Sequence, residues 1–292
     1  PQGDGADLPE WTAGAHLDIV VAPEYFRQYS LCGDPADRSK YQVGVLREDA
    51  GRGGSKLMHR IFSQGRRVHV SRPINHFPLA EDATRTLLMG GGIGVTPMIA
   101  MAHRLHAIGA DFALHYSIRN RTDAGFLDDL AAAPRAKNVQ LRITDEGTRA
   151  DLASVTQYVD GAHIYTCGPD PYMAAVLDAA AANGFPEDAR HLEYFAVPEQ
   201  PEYENQPFIL ELEDGRKIAV SADQSASDAL VAAGVHVDVK CSDGLCGVCK
   251  CAIISGDVEH RDYVLSKGQK EGAMILCQSR AAQAGGTLKI AL

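Results

Sequence analysis

Long apolar runs, a basic excess and internal repeats are all missing from this 292-residue chain. The most apolar window, Leu87–Ala102, is interrupted by four glycines and a proline, which rules it out as a membrane span. A formal net charge of −10 argues against nucleic acid as a partner. Seven cysteines are an odd number, and they do not suggest a small disulfide-stapled secreted fold. The eleven histidines show no metal-ligand spacing, and His103 and His106 stand at i, i+3 with no partner carboxylate in the sequence pattern. Pro1–Thr12 is polar and proline-flanked, without a signal-peptide pattern, so a reducing, cytoplasmic compartment is expected. What is present is 45% hydrophobic residues, ample for packed cores, and a length that suggests two or three domains.

The most informative stretch is Cys241–Ser242–Asp243–Gly244–Leu245–Cys246–Gly247–Val248–Cys249, with Cys277 further on. C-x4-C-x2-C plus a remote fourth cysteine is the spacing of a plant-type 2Fe–2S ferredoxin. Gly244 and Gly247 let such a loop curl until backbone N–H groups point at the sulfurs. Zinc ribbons favour two C-x2-C pairs over this asymmetric loop. Cys241, Cys246, Cys249 and Cys277 are therefore the expected ligands of a one-electron centre. Cys251, two residues past a ligand, points to the opposite strand face and reads as core. Cys32 reads as a small buried hydrophobe.

Composition divides the rest into segments with expected bounds of 1–82, 83–197, a linker at 198–207, and 208–292. The first alternates apolar and polar residues in short strand-like runs, Ala15–Val21, Tyr41–Arg47 and Arg67–Ser71. The second interleaves strands at Thr86–Met89, Phe112–Ile118, Val139–Ile143, His163–Thr166 and Arg190–Tyr194 with helices at Met98–Ile108, Phe126–Ala132 and Pro171–Asn183. That rhythm predicts an α/β, doubly wound parallel sheet. Val197–Pro207 holds three prolines and three glutamates with almost no core residues, as a linker does. Beyond it, paired strands at Phe208–Leu212 and Arg216–Val220 and a helix at Ala226–Ala233 follow the order of an α+β β-grasp domain.

Gly90–Gly91–Gly92–Ile93–Gly94–Val95–Thr96–Pro97 runs from a strand into a helix with proline in its first turn, a phosphate-binding arrangement. It lacks the G-x-G-x-x-G spacing of a Rossmann dehydrogenase. Cys167–Gly168–Pro169 is a second strand-to-helix turn on the same sheet. Both belong at the carboxyl edge, where ligands bind. Gly91, Gly92, Gly94, Thr96, Pro97, Cys167, Gly168 and Pro169 are accordingly expected to hold a nucleotide.

These strings resemble the nicotinamide domain of the ferredoxin–NADP reductase superfamily, and Arg27–Gln28–Tyr29–Ser30 resembles its R-x-Y-S flavin motif. The whole order, with R-Q-Y-S-L-C-G-D-P, G-R-G-G-S and V-S-R-P-I-N-H-F-P-L, is similar to the phthalate dioxygenase reductase family, which includes vanillate demethylase reductases. The resemblance implies an antiparallel flavin β-barrel ahead of the nicotinamide domain, here truncated by roughly two strands at its start. It implies FMN rather than FAD. Tyr29 can lie on the flavin ring, Ser30 can hydrogen-bond the ring's polar edge, and Arg27 can pair with the phosphate. Gly53, Gly54 and Ser55 offer further donors, and Arg47 joins the set. Thr96 is expected near flavin N5, and Phe195, closing Glu193–Tyr194–Phe195, beside flavin and nicotinamide. Tyr116–Ser117 and Arg119–Asn120–Arg121 should approach the adenosine ribose. The two arginines suit a 2′-phosphate, whereas the resemblance implies NADH.

The expected function is an NADH-dependent reductase that passes single electrons through FMN and 2Fe–2S to a Rieske-type oxygenase acting on a small aromatic acid. Placement of the redox centres in series is the protein's contribution. Contact with the oxygenase is expected to be transient and small, near Ser242–Gly247, and the chain is expected to be a monomer. One alternative is a reductase for a monooxygenase of quaternary amines such as carnitine. Another is an electron-carrier or redox-sensing module without nucleotide turnover.

Overall fold

A computed structural model describes residues 7–22, 25–49, 53–132, 136–197 and 203–292. The expectations for the first six residues, the opening of G-R-G-G-S and the first half of the linker lie outside them. The chain divides into two compact units, Pro1–Phe195 and Ala196–Leu292.

The first unit opens with β1 (Ala15–Ala22) and β2 (Tyr25–Ser30), followed by α1 (Gly54–Ile61) and β3 (Ile74–Asn75). They form an antiparallel sheet in the order β2-β1-β3. Two stretches expected as strands do not form ladders. Tyr41–Arg47 is tied to its neighbours by one bridge, Leu31 to Val43, and Arg67–Ser71 by one bridge, Ile19 to Val70. Arg67–Ser71 does run beside β1, with Val20 N donating to the His69 carbonyl and Ser71 N to the Asp18 carbonyl, but neither stretch repeats its bridge into a ladder. Conversely, α1 replaces what reads as a glycine-serine turn. Its Met58 is buried while Lys56, His59 and Arg60 face outward, a spacing masked by the two glycines at its start.

The remainder of this unit is β4 (Arg85–Gly91), α2 (Val95–Ala107), β5 (Phe112–Ile118), α3 (Leu127–Ala132), β6 (Val139–Ile143), α4 (Leu152–Val155), β7 (Ala162–Cys167), α5 (Asp170–Ala182) and β8 (Arg190–Glu193). The strands run in the order β6-β5-β4-β7-β8, and all four neighbouring pairs are parallel. β4 is buried from Thr86 to Gly91, as expected of a strand covered on both faces. Met98, Met101 and Leu105 of α2 share one core with Leu17 and Ile19 of β1 and Met58 of α1. Val176 and Ala180 of α5 pack against Leu87 and Met89 in a second cluster. The antiparallel and parallel sheets are thus fused by a common apolar core, which fixes one ligand edge against the other.

The second unit holds β9 (Phe208–Leu212), β10 (Lys217–Val220), α6 (Ala226–Ala232), β11 (Lys250–Ser255), β12 (Val258–Glu259), α7 (Lys267–Lys270), β13 (Ala273–Ile275), β14 (Arg280–Ala281) and β15 (Thr287–Ala291). Its main sheet runs β10-β9-β15-β11-β13, with β9 and β15 parallel. β9 alternates buried and half-buried positions, so one face meets the core. α6 is capped by Ser225, whose hydroxyl oxygen accepts from Asp228 N, a contact typically worth about 1 kcal/mol.

Candidate functional site

At the carboxyl edge of the parallel sheet the two glycine turns touch. A methyl group on Gly94 would land 2.3 Å from the Cys167 carbonyl oxygen, and one on Gly168 would land 2.9 Å from the backbone of Gly91. Only residues without a side chain allow β4 and β7 to finish this close together. The ring of Tyr172 closes over Gly91 from α5. α2 therefore begins, through Pro97 in its first turn, at a concave patch of backbone. The positive end of the α2 dipole favours an anion there.

Thr96 is buried, and its hydroxyl donates to the Ile93 carbonyl at 3.0 Å. The methyl side of Thr96 lies against Gly44. The hydroxyl thus braces the turn at the start of α2. Ser117, next to last in β5, stands opposite Gly91 of β4. Phe195 is 42% exposed, so it is a surface aromatic and not a member of the core. His103 is half-buried with Asp34 3.8 Å away, a carboxylate partner that sequence spacing does not reveal.

Where the two sheets meet, Ser30 of β2 donates from its hydroxyl to Glu193 Oε2 of β8 at 3.2 Å. Burial pushes the Glu193 carboxyl up to about 8, opposed by the Ser30 contact. At neutral pH this acid carries its proton. Cys167 is fully buried, and burial, with Glu193 adding to it once that acid ionises, pushes its thiol well up. Glu193 is 163 residues from Ser30, and nothing local in the sequence marks it. The only signal is its place at the end of the last strand of the parallel sheet.

Arg27 lies across the start of α1. A methyl on Gly54 would fall 2.4 Å from its Nε, so the glycine makes room for the guanidinium. Tyr29, one strand residue further along the same face, is half-buried, and its phenol is raised chiefly by burial, against the lowering effect of Arg27. Ser55 accepts a hydrogen bond from Glu48 N at 3.0 Å, and Arg47 Nε donates to Asp49 at 3.1 Å. Arg47, Gly53, Lys56, Leu57, His59 and Arg60 line a cleft of about 670 Å³. Lys56, His59 and Arg60 were not among the expected site residues. Their recurrence on one face becomes visible only once α1 is recognised as a helix. A glycine-made seat for an arginine beside a basic cleft fits the phosphate end of a flavin mononucleotide.

The second unit gathers the four cysteines. Their thiols touch in a chain, Cys246 to Cys241, Cys241 to Cys277, and Cys277 to Cys249. Among the described residues no three metal-ligating side chains surround one ion-sized point, whereas a chain of four sulfurs suits a group with two irons. Asp243 N donates to Cys241 Sγ at 3.3 Å. The backbone at Leu245 also reaches Cys241, that at Val248 reaches Cys246, and that at Gly244 reaches Cys277. The loop achieves this with left-handed φ angles of 59°, 74° and 69° at Ser242, Gly244 and Gly247. Thiol contacts from Cys246 and Cys277 pull the Cys241 thiol far down, and a contact from Cys277 lowers Cys249 to about 7. The same contacts push the Cys246 and Cys277 thiols up, as expected of four sulfurs packed against one another. Cys251 sits in the core beside Met274, with its thiol raised to about 12 by burial. Cys32 is likewise buried and raised to about 12, its thiol 3.5 Å from the Gln42 carbonyl.

Comparison with known proteins agrees with this geometry. A family described as a 2Fe-2S iron-sulfur cluster binding domain matches residues 210–282. Vanillate O-demethylase oxidoreductase of Pseudomonas sp. strain HR199 is 38% identical over 289 residues, covering 97% of this chain and 91% of that protein. A crystal structure of phthalate dioxygenase reductase, described as a modular structure for electron transfer from pyridine nucleotides to [2Fe-2S], aligns at 36% identity with a TM-score of 0.69. It covers 99% of this chain and 91% of the other. An intact type IV self-sufficient cytochrome P450 monooxygenase aligns at 39% identity with a TM-score of 0.90 over 98% of this chain. The chain spans 38% of that larger protein.

Proposed function

We propose that this chain, which belongs to the oxygenase reductase family that includes vanillate O-demethylase oxidoreductase and phthalate dioxygenase reductase, carries electrons from NADH to a Rieske-type oxygenase acting on a small aromatic acid. It is an oxidoreductase, with FMN, NADH and a 2Fe–2S cluster as its redox groups. The observation that carries the reading is the pairing, in one chain, of a nucleotide edge made of two abutting glycine turns with a four-thiol loop.

When bound, the flavin takes the two electrons of a hydride together and the cluster accepts them singly, which reconciles a two-electron donor with a one-electron acceptor. The chain's own residues position and insulate these groups. Arg27, Gly53, Gly54, Ser55 and Arg47 hold the flavin phosphate at the start of α1. Tyr29 covers the ring, and Ser30 meets its polar edge. Behind Ser30, Glu193 accepts the Ser30 hydroxyl's hydrogen bond, so the acid fixes the Ser30 Oγ and holds a proton one hydrogen bond from it. Gly91, Gly92, Gly94 and Pro97 seat the pyrophosphate, with Thr96 bracing their turn. Gly168, Pro169 and Cys167 bound the nicotinamide side, Ser117 the adenosine side, and Phe195 shields the rings. Cys241, Cys246, Cys249 and Cys277 hold the cluster. The antiparallel sheet is part of a flavin barrel, and contact with the oxygenase is transient, made at Ser242–Gly247 by a monomer.

A haem acceptor is the second reading, favoured by the structural match to 38% of a self-sufficient cytochrome P450 monooxygenase. The purified protein should release FMN, contain two irons per chain, and reduce a Rieske-type oxygenase with NADH faster than it reduces a P450 haem domain. Equal or greater rates to the haem domain overturn the Rieske assignment. Absence of flavin and of NADH oxidation overturns the reductase reading altogether.

A further inference from the structure

The two arginines beyond β5 raise a question that the NADH reading leaves open: why a loop with two cations should not prefer a 2′-phosphate. The structure supplies the counterweight. β5 and β6 finish in register, Ile118 opposite Ile143, so the loop Arg119–Asn120–Arg121 and the turn Thr144–Asp145–Glu146 leave the carboxyl edge side by side. Asp145 N donates to the Arg119 carbonyl at 3.0 Å and locks them together. Asn120 is held by Asp123, its Nδ2 donating to Oδ2 at 2.8 Å, while its own Oδ1 accepts from Asp123 N at 2.9 Å.

On that frame Arg121 is engaged on both arms. Its Nε donates to one Glu146 oxygen at 2.7 Å and its terminal nitrogen to the other at 2.9 Å. This planar, two-armed match is the same one a phosphate would use. The pair is exposed, with side chains 57% and 44% accessible, so its value to stability is small. Its chemical effect is local. The fork is filled, and Glu146, held below the ordinary carboxylate range by Arg121, keeps its negative charge directly against the guanidinium. Asp123 and Asp145 leave this corner with three carboxylates against two arginines.

In a doubly wound sheet whose central strand seats the pyrophosphate, the adenosine ribose falls beyond the neighbouring strand, here β5. We propose that Glu146 is the residue that sets nucleotide choice. It occupies Arg121 and repels a 2′-phosphate, so the site accepts the nucleotide whose ribose carries free hydroxyls. The inference rests on the NADH reading and adds the residue responsible.

The test uses the flavin-loaded protein and three chains: wild type, Glu146→Gln, and Glu146→Gln with Arg121→Ala. Glutamine keeps the shape and removes the charge. Calorimetric titration with 5′-AMP and with adenosine 2′,5′-bisphosphate gives an affinity ratio for each. Wild type should bind the bisphosphate no better than the monophosphate. Glu146→Gln should shift the ratio toward the bisphosphate by at least tenfold, and the second substitution should cancel that gain. kcat/KM for NADPH relative to NADH should move in parallel. A ratio that stays within twofold of wild type in Glu146→Gln, or a gain that survives loss of Arg121, overturns the proposal while leaving the NADH reading standing. A wild-type protein whose flavin is not bleached by NADH overturns the reading beneath it.

Discussion

The two units bind their redox groups by opposite means. In the second unit the ligands are covalent-type donors, four sulfurs delivered by one loop and one remote residue, and the loop backbone bends to aim N–H groups at them. In the first unit most of the expected contacts come from missing side chains. Gly94 and Gly168 let two turns abut, and Gly54 opens a seat for Arg27. Coordination chemistry demands particular residues at particular spacing. A phosphate or ring cradle demands backbone shape, which many sequences satisfy. The first kind of site is written in residue identity, the second in geometry assembled across distant strands.

The sharpest way to break this contrast is Cys246→Ser. If identity governs the second unit, a single thiol lost from the chain of four should abolish the 2Fe–2S absorption and cut electron delivery to a one-electron acceptor at least a hundredfold. NADH should still bleach the flavin, because no residue of the first unit changes. Iron remaining at two per chain would overturn the ligand assignment.

Gly94→Ala is the matching probe of geometry. The added methyl meets the backbone of Cys167 and Gly168 at 2.3–2.6 Å, and backbone cannot swing aside as the tip of a side chain can. Overpacking of this sort costs about 1–3 kcal/mol. The thermal midpoint of the first unit should fall, and NADH-dependent bleaching of the flavin should slow, while cluster absorption is untouched. An unchanged midpoint would mean that the two turns can separate freely.

The same contrast explains what could be read from the sequence. The first four parallel strands were legible from their apolar and β-branched residues and the turns that follow, Arg190–Glu193 only from its place in the alternation of strands and helices, and the cysteine spacing because irons tolerate few alternatives. α1 was not, since Gly53 and Gly54 look like a turn and conceal the helix that follows. The ladders expected at Tyr41–Arg47 and Arg67–Ser71 failed because alternation reports a half-buried face, not a partner strand. Glu193 and Glu146 were invisible as site residues, because their partners Ser30 and Arg121 lie 163 and 25 positions away and only the fold introduces them.

The finest test of the comparison concerns pH, where the buried acid of the first unit should leave a signature. The Glu193 carboxyl is raised from the ordinary 4.5 to about 8, by burial. The folded state therefore holds a proton that the unfolded chain has released between about pH 4.5 and 8. This contribution to stability is complete below the unfolded value and is lost as pH rises through the folded one, at up to about 1.4 kcal/mol per pH unit. His191 opposes it on the acid side. Burial, then His163, lowers its imidazole to about 4, so its contribution disappears as pH falls from about 6.5 toward 4. Glu193→Gln removes the first effect and leaves the second. Wild-type stability should decline from pH 6.5 to 8 relative to the glutamine variant, and the difference should level off above pH 8. The rate of flavin bleaching by NADH should show an inflection near 8 in wild type alone. Parallel stability curves for the two proteins across that range would mean that Glu193 is already ionised in the fold, and that Ser30 has a carboxylate, not a buried acid, behind it.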